Sequence, residues 1–142
     1  MMSMSLIGKF HPLLVHFPIA LVLAAAAAEL VVIATPRTAW RSVAVANIRA
    51  AAGLGVVTAI TGWLLASSPL VDPSTSLQWH RWLGLAGAAG AIGAALLSTR
   101  LDEFSRRPAF AYRLMLFVTA LLVAITGHLG GTLVWGPGFL RP

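Results

Sequence analysis

Long apolar runs, almost free of charge, alternate along this chain with short breaks that are polar, charged or proline-bearing. A helix rises about 1.5 Å per residue, so roughly 20 mostly apolar residues cross the ~30 Å of hydrocarbon in a bilayer. Four runs meet that requirement, and the pattern predicts spans over Pro12 to Thr35, Val43 to Ser67, His80 to Thr99 and Phe110 to Trp135. The breaks read TPRTAWR, SSPLVDPSTS and RLDEFSRRP, in which proline, turn-forming residues and charge each stop a buried helix. The expected fold class is all-α: a polytopic membrane protein, a four-transmembrane-helix bundle occupying residues 1–142 as a single domain.

Composition sharpens this picture. With 58% apolar and 10% charged residues, and a mean hydropathy of +0.87, a water-soluble globular domain is excluded. The chain has no cysteine, which removes disulfides, iron–sulfur clusters, thiolate metal sites and covalent c-type haem attachment. A net charge of +6 would invite a nucleic-acid reading in a soluble protein. Here the cations flank apolar spans instead of forming a basic face, so the expected surroundings are membrane lipid and no nucleic acid is expected.

The same cations orient the chain. Arg37, Arg41 and Arg49 flank the first connection and Arg100, Arg106, Arg107 and Arg113 the third, whereas the second connection and the termini hold only Lys9, Arg81 and Arg141. Cytoplasmic loops carry the excess of Lys and Arg, so both termini are expected on the outer side, periplasmic for a bacterial inner-membrane protein. Trp79, Trp82 and Trp135 then mark the outer boundary and Trp40 the inner one. A cleaved signal peptide is the competing reading of the first run, with Ala24 to Ala28 as a small-residue site. The apolar stretch continues past Glu29 through LVVIA, which favours an uncleaved span. Glu29 and Arg49 fall at similar depth and are expected to pair. His16 and His80 both open odd-numbered spans, but no further matching residues accompany them, and no internal repeat is read from the chain.

This orientation gathers all four histidines, His11, His16, His80 and His128, at the outer side. Ionisable residues inside a bilayer are costly and point by default to function. At 1.5 Å per residue His16 lies roughly 6 Å, and His128 roughly 10 Å, inside the outer ends of their spans, with His80 at the boundary. His11 and His16, five residues apart, do not share a helical face. His16 and His128 are therefore the expected axial pair for a b-type haem, whose iron two imidazoles from facing helices can hold. Gly127, Gly130 and Gly131 would let a flat ring approach the backbone, as would the stripe Gly84, Gly87, Gly90 and Gly93. Arg81, with His80 or His11, would meet the propionates.

Two other readings of these residues stand beside it. The histidines and glycines could serve helix packing in a non-catalytic subunit of a larger complex. Alternatively, three or four imidazoles could hold zinc or copper. Asp72 is the sole acid expected on the outer side, which disfavours hydrolytic zinc chemistry, and there is no serine triad, phosphate loop or dinucleotide fingerprint. An electron-transfer or accessory role is expected over a stand-alone enzyme, and no span repeats a polar face that would line a channel.

The opening HPLLVHFPIAL and the closing GHLGGTLVWGPGFL resemble a bacterial family of four-helix membrane proteins catalogued as a domain of unknown function. The resemblance covers the chain in outline and makes His11, Pro12, His16, Pro18, Gly127, His128, Gly130 and Gly131 its motif positions. Some relatives carry a further histidine where Trp135 stands here. Members occur fused or adjacent to c-type cytochrome domains, which implies an outward-facing redox setting. The expected partners of such a haem carrier are a membrane donor such as a quinol and an outer-face c-type cytochrome or larger membrane redox complex.

Overall fold

Each apolar run folds as a helix because, in lipid, a helix satisfies its backbone hydrogen bonds within itself. The computed structural model describes residues 6–69, 71–101, 106–136 and 138, with the side chains of 106–108 excepted. Arg141, and the side chains of Arg106 and Arg107, therefore lie outside the described residues. The helices are α1 (His11–Leu14), α2 (His16–Ala34), α3 (Trp40–Ala66), α4 (Thr75–Leu97), which continues into a 3-10 turn at Ser98–Arg100, and α5 (Arg106–Trp135). Four segments are long and apolar enough to cross a membrane: Leu6–Ala34, Trp40–Ala66, Thr75–Arg100 and Ala109–Trp135.

Two boundaries differ from the sequence expectation in ways that matter. The first span begins at Leu6 and the third at Thr75, ahead of Pro12 and His80. Polar residues are admitted to a first turn when it is capped. Ser74 caps α4 by accepting a hydrogen bond from the Leu77 amide at 3.1 Å, which draws Thr75 to Trp79 into the helix. Within the first span, α1 and α2 are separated at Val15. Pro18 has no N–H to give the Leu14 carbonyl, and a missing rung of this kind bends a helix.

The spans run alternately up and down. α2 packs on α3, α3 on α4 and α4 on α5, and α2 closes the bundle against α5 along its least extensive seam. Small residues allow the close approach. Ala25, Ala51 and Ala94 are wholly buried, and Ile48, Tyr112 and Leu116 fill the space between helices. The glycine stripe of α4 faces α5: side chains at Gly84, Gly87, Gly90 and Gly93 would meet Thr126, Val123, Thr119 and Met115 respectively. It is first a packing surface, and only Gly84 and Gly87 also border the cavity described below.

The two helical hairpins bury a set of like positions. Buried Pro18, Val22, Ala25 and Glu29 of α2 recur 69 positions later as buried Gly87, Ala91, Ala94 and Ser98. Buried Ala44, Ile48, Ala51 and Thr58 of α3 recur 68 positions later as Tyr112, Leu116, Thr119 and Thr126. Two helical hairpins of like orientation therefore build the bundle, as in parallel membrane repeats. The correspondence lies in which positions are buried and not in residue identity, so the string of residues does not display it. By the same spacing the residue that precedes His80 is His11, not His16.

Candidate functional site

The arginine-rich end of the bundle is tied by charge. Glu29 is fully buried, and its Oε1 accepts from Arg41 Nη2 and from Arg113 Nε, each at 2.8 Å. The expected Glu29–Arg49 pair is not formed: Arg49 Nε donates instead to Ser98 Oγ at 3.0 Å. The carboxylate on α2 thus holds α3 and α5 together. A buried carboxylate without its cations would be strongly unfavourable.

The opposite end, where the chain starts and α5 finishes, is hollow. A cavity of about 950 Å³ lies between the hairpins, lined by both, and its walls are mostly apolar. Glycine and alanine supply much of that lining, including Gly55, Gly62, Gly84, Gly127, Gly130, Gly131, Ala59 and Ala88. Its volume falls in the range of small-molecule and cofactor sites.

Two of the four histidines meet in this cavity. His11 and His80 have ring centroids 6.2 Å apart with planes at 81°. His11 Nδ1 lies 3.0 Å from the Thr58 carbonyl, and His80 Nδ1 lies 3.0 Å from the Thr126 carbonyl. A carbonyl only accepts, so each Nδ1 carries a proton, and in the neutral ring each Nε2 keeps its lone pair. Metal-binding histidines are commonly oriented in this way, through the nitrogen that does not ligate.

Glycine one turn beyond each carbonyl makes the arrangement possible. A Cβ on Gly62 would stand 2.7 Å from His11 Cε1, and a Cβ on Gly130 would stand 3.0 Å from His80 Cε1. The first contact is closer than a methyl group tolerates, and the second is tight enough that the ring would have to give by a few tenths of an ångström. Each hairpin therefore carries one copy of a device: a histidine near the start of its first span, then a threonine whose carbonyl takes Nδ1–H, then a glycine four residues on. The copies are His11, Thr58, Gly62 and His80, Thr126, Gly130.

The expected axial pair is not what the fold brings together. His128 is exposed and does not border the cavity. Thr126 and Gly130 share the α5 face turned to His80, and a residue two positions after Thr126 lies about 200° round the helix at 100° per residue. His16 is exposed and borders the cavity at its edge. Among the described residues, no three histidines or acids gather as a metal-ion group, so the expected site of three or four imidazoles is not assembled. Gly127 and Gly131 border the cavity as expected, beside Gly130.

Arg81 also borders the cavity, its guanidinium carbon 3.9 Å from the centroid of the Trp63 ring. Trp63 meets Trp82 edge-on at 6.1 Å. The stack fixes the cation of α4 against α3, an interaction of about 0.5–2 kcal/mol.

Thr58 was not anticipated. It is 7% exposed and borders the cavity, and its Oγ1 has no hydrogen-bond partner among the described residues. Its repeat counterpart Thr126 instead donates to the Leu122 carbonyl at 2.8 Å. A buried hydroxyl left unpartnered costs about 1–3 kcal/mol. No pattern in the sequence separates Thr58 from a packing threonine.

No curated protein and no solved structure matches the chain. A family model described as predicted membrane protein (DUF2231) matches residues 9–139, which include both histidine devices. The chain is a membrane protein and belongs to the DUF2231 family.

Proposed function

We propose that this chain binds one b-type haem between His11 and His80 and carries electrons within the membrane at its histidine-bearing end. The carrying observation is the imidazole pair, one from each hairpin, with centroids 6.2 Å apart. With each Nδ1–H directed to a helix carbonyl, the Nε2 lone pairs of His11 and His80 are the ones that would hold an iron ion. The small-residue lining leaves space for a flat macrocycle. Haem iron would supply one-electron chemistry.

The chain's own residues have distinct tasks. The Thr58 and Thr126 carbonyls orient the imidazoles, Gly62 and Gly130 seat them, and Arg81 offers a cation to the ligand's carboxylates. By the arginine distribution this end faces outward, where a c-type cytochrome or larger redox complex is the partner and a quinol the membrane donor. Compared with the His16–His128 pair, the proposed ligands move to the two histidines that already share a cavity.

Absorption spectra of detergent-solubilised protein, produced with ample haem, test the reading. Soret and α bands are expected in the parent, lost in both His11→Ala and His80→Ala and retained in His16→Ala and His128→Ala. Folded protein without those bands, or bands indifferent to His11 and His80, would overturn it.

A further inference from the structure

A second recess lies far from the histidines, on the lipid-facing side of the α4–α5 pair at its arginine-rich end. It has a volume of about 440 Å³ and is lined by Gly93, Leu96, Leu97, Thr99, Arg100 and Met115. At about 30 Å³ per group, roughly the share of a water molecule in the liquid, that is room for some fifteen methylenes. One end is hydrocarbon, with Leu96 at 64% exposure on its wall. The other is the close of the third span, where Arg100 is exposed and makes no hydrogen bond or ion pair among the described residues. Thr99 spends its hydroxyl proton on the Leu96 carbonyl at 2.7 Å, leaving oxygen lone pairs and no donor, so Arg100 is the recess's cationic group.

We propose that this recess is a binding site for an anionic phospholipid, one acyl chain lying along Gly93, Leu97 and Met115 and the phosphate meeting Arg100. Charge and shape select the occupant together. A soluble anion would leave the apolar wall bare, and a hydrocarbon without charge would leave the exposed guanidinium without a partner among the described residues. From Gly93 to Arg100 the helix rises about 10 Å, so the chain runs from headgroup level toward the middle of the leaflet. Basic recesses between spans on the side rich in Lys and Arg bind acidic headgroups by this chemistry. The site stands apart from the histidine cavity and does not depend on what that cavity holds.

Native mass spectrometry of the full chain, released from mixed phosphatidylglycerol and phosphatidylcholine micelles, provides the test. Retained phosphatidylglycerol should exceed phosphatidylcholine by about fivefold, the weight of one basic residue at an anionic surface. Arg100→Gln should abolish that preference, while Arg37→Gln, in the exposed first connection, should keep it. Gly93→Leu should fill the recess and reduce retention of both lipids with Arg100 intact. Equal retention of the two lipids by the parent, or an unchanged preference in Arg100→Gln, would overturn the proposal.

Discussion

The two ends of this bundle are built from the same pair of hairpins and solve opposite problems. At the arginine-rich end the interior is filled: Ile48, Tyr112 and Leu116 are fully buried, and Glu29 is clasped by Arg41 and Arg113. At the histidine end the corresponding space is lined by glycine and alanine and left open around two oriented imidazoles. Packing and charge hold one end together, and that leaves the other free to keep a cavity. Natural sites are commonly placed on rigid support in this way.

The sharpest way to break this comparison is to remove its anchor. Arg41→Leu combined with Arg113→Leu should leave the Glu29 carboxylate buried without a cation and lower stability by about 3–5 kcal/mol, read from thermal or denaturant unfolding in detergent, and Glu29→Leu, which leaves only partly exposed guanidiniums, should cost less. If the double variant unfolds like the parent, the ion triad does not support the bundle. A second contrast sets one leucine from each end side by side. Leu116→Ala, at a fully buried site, should cost about 2–5 kcal/mol. Leu77→Ala, at the cavity wall, should cost under about 1 kcal/mol, since the space beside it is already open. Equal losses would mean that the two ends are packed alike.

Smaller effects sharpen the reading of the site. Gly62→Ala and Gly130→Ala should each weaken haem retention, by about 10-fold or more, because the added methyl displaces an imidazole-orienting contact. Gly62→Ala should be the worse of the two, its Cβ standing 2.7 Å from His11 against 3.0 Å for Gly130 and His80. Haem transfer to an apoprotein acceptor measures both. The smallest effect is expected at exposed His128, where alanine should change stability by less than about 0.5 kcal/mol and leave the spectrum unaltered.

Much of the fold was legible in the chain and less of the site. The four spans follow from apolar run length, and the polar connections follow from residues that cannot be buried. Arg81, Gly127, Gly130 and Gly131 were recognised and do border the cavity. The histidine pairing was misread because the first and third spans were started too late, at Pro12 and His80. With helices beginning at Leu6 and Thr75, His11 and His80 each lie five residues into their spans, at matching depth. The start at Thr75 depends on the Ser74 cap and on a polar first turn, which hydropathy alone does not register.

Hydropathy and charge order along the chain were enough to establish an all-helical membrane protein of four spans, because transfer of side chains into lipid is summed locally, run by run. Which histidines meet, which arginines clasp Glu29 and where the space between hairpins lies were decided only by the tertiary structure. Those outcomes turn on the rotation of each helix about its own axis and on its exact height against its neighbours. A shift of two residues turns a side chain by about 200°, enough to carry His128 out of a site whose wall Thr126 and Gly130 form.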